Sequence, residues 1–374
     1  MDRKETKRSR LRAIISGGGT GGHIFPAIAI ADAIRQAEPD AEILFVGAKG
    51  KMEMEKVPKA GYPIEGLWIS GFHRQLTLRN LLFPLKLASS LWKAWRIIGR
   101  FRPDVVVGVG GFASGPLLEV ATRRGIPTLI QEQNSYAGVT NRLLARKVNK
   151  ICVAYPGMER YFPAEKIVLT GNPVRKAIEG SQASREEGAA YFGFDPARPI
   201  LFVFGGSLGA KALNEAMAAN ASLLRERPEV QVLWQIGQLY EADFMACEAA
   251  GLPNVEARAF IDRMDLAYAM ADVVLCRSGA LTISELYFAG KPAIFIPSPN
   301  VAEDHQTKNA KAVVDAGAAW MIRNSEAREQ LIRKSFELLD DETTRRQLSA
   351  KIRQLAMPDA AVHIAAEVSK LARH

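Results

Sequence analysis

The stretch that decides the fold is Arg12-Ala-Ile-Ile-Ser16, running into Gly17-Gly-Gly-Thr-Gly-Gly22 and then an Ala-rich apolar segment to about Ala37. A short apolar run, a glycine turn and helical spacing read as buried strand, turn and helix. That is the opening unit of a doubly wound α/β domain. The layout returns at Pro199-Ile-Leu-Phe-Val-Phe204, Gly205-Gly-Ser-Leu-Gly209 and Ala210 to Leu224, with Gly17 and Gly205 separated by 188 positions. Two such domains in tandem suit 374 residues, at roughly 150 residues per domain.

Between and after these units the alternation continues. Strands are expected at Glu42–Val46, Val105–Val109, Thr128–Gln131, Lys150–Val153 and Lys166–Leu169, and later at Gln231–Gln235, Val255–Ala259, Val273–Cys276 and Ala293–Ile296. Most lack polar alternation, as parallel strands covered on both faces do. Gly171-Asn-Pro-Val174 reads as the interdomain linker, Gln182–Glu187 as a polar surface loop, and Pro358–His374 as one amphipathic helix.

Composition narrows the setting. With 48% hydrophobic and 24% charged residues the chain can bury sizeable cores. Three cysteines (Cys152, Cys247, Cys276) without a C-x-x-C exclude a disulfide scaffold and a thiolate zinc site and fit a reducing compartment. The apolar run Leu11–Ile15 is too short for a signal-peptide core, and no uncharged apolar stretch reaches 18 residues, so a cytoplasmic chain is expected. The net charge of +9 is unevenly placed: residues 1–175 hold 27 Lys/Arg against 14 Asp/Glu, residues 176–374 hold 22 against 26. The first half therefore calls for an anionic partner.

Much of that excess lies between Gly66 and Pro103, 38 residues without an acid. They carry Arg74, Arg79, Lys86, Lys93, Arg96, Arg100 and Arg102, with Trp68, Trp92 and Trp95 among Leu81-Leu-Phe83, Leu85, Leu87 and Leu91. Cations mixed with aromatic and aliphatic groups suit the headgroup boundary of an anionic membrane. An ordinary helix with core Trp and solvated Arg is the plainer reading. Nucleic acid is disfavoured because no recognised binding motif accompanies the charge.

Chemistry is sought at the glycine turns. A glycine-rich turn at a helix N-terminus lets backbone N–H groups approach a phosphate. Gly17–Gly22 nominally matches the dinucleotide fingerprint G-x-G-x-x-G. However, the acidic candidates for the ribose (Glu38, Asp40, Glu42) precede a strand rather than follow it, which weakens a NAD reading. Tight turns for close packing are the alternative, made less attractive by further loops at Gly108-Val-Gly-Gly-Phe-Ala-Ser-Gly115 and Gly205. In Cys276-Arg-Ser-Gly-Ala-Leu-Thr-Ile-Ser-Glu285, Glu285 is expected in the first turn of a helix, either accepting ribose hydroxyls or merely complementing the helix dipole. His23 follows the first glycine loop, where a catalytic or orienting role is favoured over a structural one. His305 beside Glu303-Asp304 is a weak metal candidate.

Taken in order, the motifs resemble the MurG family, bacterial glycosyltransferases that add N-acetylglucosamine to undecaprenyl-linked muramoyl-pentapeptide. The matching pieces are Gly17–His23, Gly108–Pro116, Gln131-Glu-Gln-Asn134, Gly171-Asn-Pro-Val-Arg175, Gly205-Gly-Ser207, Phe260-Ile-Asp262, Cys276–Thr282 with Glu285, and Asp304-His-Gln306. The resemblance implies an α/β protein of GT-B type, with two Rossmann-like doubly wound parallel-sheet domains facing a cleft. It divides the chain into an acceptor- and membrane-facing domain, 10–174 with the helix 358–374 packing back on it, and a UDP-sugar-binding domain, 175–357. It also implies a cytoplasmic-face peripheral membrane protein of peptidoglycan synthesis, linked to cell shape and division, with other cell-wall proteins as potential partners.

By the same resemblance, UDP-N-acetylglucosamine meets Ile261 and neighbouring backbone at uracil and Glu285 at ribose. Ser207 and the helix start Ala280-Leu281-Thr282 hold the diphosphate. Arg175, Gln306, Asn134 and the loop Thr20-Gly21-Gly22 complete the donor site, while Gly18, Gly19, Gly110 and Gly111 face the diphosphate of the lipid-linked acceptor. The family usually has His where this chain has Gln131, so no base acts from that position. It usually has Gln where this chain has Leu208, which removes one polar donor contact.

The reaction implied is an inverting transfer in which the muramoyl 4-hydroxyl attacks the anomeric carbon and UDP leaves. The chain contains no Asp-x-Asp. Helix N-termini and loop N–H groups can stabilise the leaving diphosphate instead, so neither metal nor cofactor is expected. His23 is the favoured base, since a neutral imidazole accepts a proton near pH 7, with Glu132 second. Rival classes are a UDP-sugar 2-epimerase of similar fold, a nicotinamide oxidoreductase and a non-catalytic lipid-binding scaffold.

Overall fold

The computed structural model describes residues 10–70 and 82–373; Arg74, Arg79 and Leu81 of the basic stretch lie outside the described residues. The chain divides into two compact units, Met1–Pro173 with Met357–His374, and Val174–Ala356.

The first unit is built on a seven-stranded parallel sheet. Its strands are β1 (Arg12–Gly17), β2 (Glu42–Ala48), β3 (Ile64–Leu67), β4 (Val105–Gly110), β5 (Thr128–Glu132), β6 (Lys150–Val153) and β7 (Ile167–Leu169), in the order β3-β2-β1-β4-β5-β6-β7. Both faces are covered, which explains the unbroken apolar runs. Ile14, Val106, Ile130 and Ile151 point into one layer, and Ala13, Ile15, Val107 and Leu129 into the other. The helix Ala360–Ala372 closes the second layer. It inserts Ile364, Ala365 and Val368, and Ser369 Oγ donates to Glu38 at 2.7 Å.

The second unit repeats the plan with six parallel strands. They are β8 (Ile200–Phe204), β9 (Gln231–Gln235), β10 (Val255–Arg258), β11 (Val273–Cys276), β12 (Ala293–Phe295) and β13 (Trp320–Met321), in the order β10-β9-β8-β11-β12-β13. Phe202 and Phe204 stack at 4.7 Å in one layer, while Leu201, Val203 and Trp234 fill the other. In each sheet the strand order reverses beside the first strand, between β1 and β4 and between β8 and β11. Ligands of doubly wound sheets bind outside the carboxyl ends of the strands at such a reversal.

Three local expectations need correction. Gln182–Glu187 is not all loop: a helix runs Arg185–Phe192, started by a capping box in which Ser184 accepts from Glu187 N–H and Glu187 reaches back to Ser184 N–H. The helix expected over Ala210–Leu224 is two, Lys211–Ala219 and Ala221–Glu226, broken at Asn220. The Asn220 amide donates to the carbonyls of Ala216 and Arg328. Glu285 lies in the second turn of the helix Ala280–Ala289, not the first, so it is no simple partner of the dipole.

Candidate active site

At the reversal in the first unit, the loops after β1 and β4 press together. A Cβ on Gly111, where φ is +86°, would stand 2.3 Å from the Gly18 carbonyl oxygen. Ser114 Oγ ties the loops, its single hydroxyl proton shared between the carbonyls of Gly110 (2.8 Å) and Ser16 (3.0 Å). Beneath them lies the fully buried carboxylate of Glu53. It accepts from Gly19 N–H and Ala48 N–H, both at 2.9 Å, and leaves no room for a side chain on Gly18.

Glu53 was not singled out in the sequence, since it stands 34 residues from the loop it holds. Its effect on the expectations is direct. The Gly19 N–H is already committed to protein, and Gly18 and Gly111 have packing reasons to be glycine.

His23 is the third residue of the helix Gly21–Ala37, whose N-cap is the exposed Thr20. The imidazole lies against Gly110 (φ +104°), where a Cβ would come within 2.7 Å of Nδ1. Nδ1 is 3.0 Å from Gln133 Oε1. The second candidate base, Glu132, ends β5 almost fully buried. Its Oε1 accepts from the backbone N–H and side-chain amide of Asn134, and its Oε2 from Gly138 N–H and Asn141 Nδ2, at 2.8 to 3.2 Å. Four donors make this carboxylate the organiser of the 132–141 turn, and they hold Asn134 in the same turn. Both of its oxygens are thus already engaged by protein donors.

At the reversal in the second unit the loops stay apart. A cavity of about 380 Å³ opens there, walled by Gly205, Gly206 and Gly209 on one side and Arg277, Gly279 and Thr282 on the other. Lys211, Tyr240, Ser298, Asn300 and Gln306 complete much of the wall, and no residue lining it is acidic. Gly279 caps the helix Ala280–Ala289, whose first N–H groups have no carbonyl a turn earlier to bond. Positive dipole ends and two cations facing a cavity without carboxylates make an anion site.

Arg277 is fixed there through Nη1, which donates to Ile296 O, Pro297 O and Asn324 Oδ1 at 2.7 to 3.1 Å. Burial lowers the pKa of its guanidinium. Gln306 braces the neighbouring loop, its Oε1 accepting from Ser298 N–H at 2.8 Å.

Of the expected donor residues, Thr282 and Gln306 reach this cavity, while Ser207, Ile261, Ala280, Leu281, Arg175 and Glu285 lie off its wall. The Ile261 N–H is taken by Gln235 Oε1 at 2.9 Å, and Gln235 Nε2 donates to Gly206 O at 2.9 Å, joining two loops. Glu285 is buried. Its Oε1 accepts from Arg175 Nε and Nη2 at 2.8 and 2.7 Å, and its Oε2 from the Tyr268 hydroxyl at 3.1 Å. Burial pushes the Glu285 carboxyl up, with the Arg175 guanidinium opposing. Among the described residues no cluster of three or more His, Cys, Asp or Glu could hold a metal ion, so the trio around His305 forms no such site.

Two parallel-sheet units in tandem, the second with an acid-free anion cavity at its strand reversal, place the chain in the GT-B class of folds. The model of the glycosyltransferase family 28 N-terminal domain matches residues 13–153, and that of the family 28 C-terminal domain matches residues 200–364. The chain belongs to glycosyltransferase family 28 and, within it, to the MurG family. It is 52% identical over 372 residues to the UDP-N-acetylglucosamine--N-acetylmuramyl-(pentapeptide) pyrophosphoryl-undecaprenol N-acetylglucosamine transferase of Bacteroides fragilis, covering 99% of this chain and 98% of that protein. The crystal structure of Acinetobacter baumannii MurG aligns with a TM-score of 0.78 at 31% identity, over 96% of this chain and 99% of that one. A UDP-GlcNAc 2-epimerase of Neisseria meningitidis, bound to UDP-GlcNAc, shares the fold at 13% identity, with a TM-score of 0.66 over 96% of this chain and 100% of that one.

Proposed function

We propose that the enzyme moves N-acetylglucosamine from UDP-N-acetylglucosamine to the 4-hydroxyl of undecaprenyl-diphospho-N-acetylmuramoyl-pentapeptide, with inversion at the anomeric carbon. The observation that carries this reading is the 52% identity, over nearly the full length, to a B. fragilis transferase whose name states the donor, the acceptor and the group transferred.

The second unit takes the donor. Its diphosphate lies in the cavity against the helix start at Ala280–Thr282, within reach of Lys211 and Arg277, with Gln306 and Ser207 shaping the loops around it. Glu285, steadied by Arg175 and Tyr268, receives the ribose hydroxyls, and the backbone near Ile261 meets uracil. Cations and N–H dipoles already in place stabilise the charge that develops on UDP as the glycosidic bond breaks, and they need no reorganisation to do so. The first unit takes the acceptor. His23 withdraws the proton from the attacking hydroxyl; Thr20, Gly21, Gly22 and Asn134, which the resemblance gives to the donor, also belong to this unit.

The first unit also docks at the cytoplasmic face of the membrane. No described helix is long and apolar enough to cross one. The helix Phe83–Phe101 and its surroundings instead expose Trp68, Leu82, Leu85, Trp92 and Trp95. Arg96 stacks over Trp92 at 4.9 Å and Arg124 over Trp95 at 4.7 Å. Aromatic groups covered by guanidinium fit an anionic headgroup layer.

Purified enzyme is incubated with UDP-N-acetylglucosamine, with and without the lipid-linked acceptor, and UDP is measured. Release that requires acceptor is expected, and it persists in excess EDTA because the leaving group is stabilised by protein cations and dipoles. Interconversion of UDP-sugars without acceptor would instead point to epimerase chemistry, and loss in EDTA restored by magnesium would overturn the metal-independent step.

A further inference from the structure

We infer that Gln133 is a positioning residue of the transfer: its side-chain oxygen holds His23 in the tautomer whose Nε2 accepts the proton. This inference deepens the reading of His23 as base and rests on it.

Backbone carbonyls, which can only accept, fix the orientation of the Gln133 amide. Gln133 lies at the mouth of β5, almost fully buried. One end of its amide faces Val109 O at 2.7 Å and Gln131 O at 3.2 Å. A carbonyl oxygen only accepts, so the group facing both must be the amino nitrogen. Oε1 is thereby turned to His23 Nδ1 at 3.0 Å. An amide oxygen carries no proton, so Nδ1 must donate, and the lone pair of the neutral ring resides on Nε2.

A second line fixes the same orientation. Asn172 Nδ2 donates to Gln133 O at 3.0 Å, so its Oδ1 is the acceptor that faces Gln131 Nε2, also at 3.0 Å. Gln131 Oε1 is then left facing Gln133 Nε2 and accepts from it. All three amides are at most 4% exposed. Flipping Gln133 would turn its oxygen onto the carbonyl oxygens it now serves, setting acceptor against acceptor in a buried place. Proton positions therefore pass from the backbone at Val109 and Gln131, through Gln133, to the imidazole. The Asp of a Ser-His-Asp triad fixes a histidine tautomer in the same manner but with a charge. A neutral amide sets the tautomer without adding a carboxylate to stabilise the imidazolium. Gly110 permits the contact, because a Cβ there would occupy the place of the ring.

The test is the side-chain nitrogen spectrum of full-length enzyme labelled with ¹⁵N-histidine, recorded above the pH at which His23 titrates. His23→Gln identifies the signals of His23 among the five histidines. Nδ1 protonated and Nε2 bare is the expected result; Nε2–H in the native enzyme would overturn the inference without any variant being made. Gln133→Met keeps side-chain length and removes the acceptor. It should shift His23 toward the Nε2–H form and lower kcat about 10-fold, with donor KM unchanged. An unaltered tautomer in Gln133→Met, with native melting, also overturns the role of Gln133. Near-normal kcat in His23→Ala, with the Nδ1–H tautomer intact in native enzyme, removes the base assignment while leaving the tautomer assignment standing, so the two failures are distinguishable.

Discussion

The two strand reversals of this chain share a topology and differ in what their glycine loops do. After β1 and β4 the loops are closed on each other: Gly111 abuts the Gly18 carbonyl and Glu53 occupies the Gly19 N–H. After β8 and β11 they part around a cavity of about 380 Å³, with cations in the wall and no acid. A glycine-rich turn is therefore not in itself a phosphate cradle. Its amides must be unclaimed, and the buried carboxylate of Glu53 claims one of them, the Gly19 N–H. The first reversal holds an imidazole on a rigid floor; the second holds a charge-stabilising space.

The comparison is broken most severely if the floor has no chemical role. His23→Ala is expected to lower kcat by about 100-fold or more, the range for loss of a general base. Donor KM should stay near the native value, since the donor is assigned to the other unit. Steady-state kinetics with the lipid-linked acceptor decide it: a raised donor KM with native kcat would move His23 out of the chemistry. The donor unit answers with the opposite split. Glu285→Gln keeps the shape but cannot accept from Arg175, Tyr268 and a ribose hydroxyl as a carboxylate does. Loss of a charged hydrogen bond is worth about 1.5–3 kcal/mol, so donor KM should rise at least 10-fold, with kcat at saturating donor changed far less. Stability should change little, because Arg175 is half exposed and its ion pair is screened by solvent.

What the sequence made legible follows from where the information lies. The long central strands were readable because burial on both faces leaves unbroken apolar runs. β3 (Ile64–Leu67) and β13 (Trp320–Met321) were not, being short edge strands with partly exposed residues. Arg185–Phe192 carried a local signal, the Ser184…Glu187 capping box, which its polar composition obscured. The glycine turns, His23 and Glu285 were visible as motifs. Glu53, Gln133, Gln235 and Arg277 were not picked out for any role, since each acquires one from partners distant in sequence. His23 and Gln133 are 110 positions apart, and Arg277 and Asn324 are 47. No spacing rule joins residues that only the sheet brings together.

The finest test compares one glycine from each reversal. Gly111 and Gly206 both have φ near +90°, a region in which any side chain is strained. A Cβ on Gly111 meets a backbone oxygen at 2.3 Å, whereas a Cβ on Gly206 meets nothing within 4 Å. Gly111→Ala must therefore move a loop as well as bear the strain, at about 3 kcal/mol, while Gly206→Ala carries only the strain, at about 1 kcal/mol. Urea unfolding of the full chain should show the larger loss for Gly111→Ala, and UDP titration should show weakened binding only for Gly206→Ala, whose methyl group enters the cavity wall. Equal losses of stability would mean that the loops of the first unit are not closed on each other, and the contrast between the two reversals would then fail at its structural root.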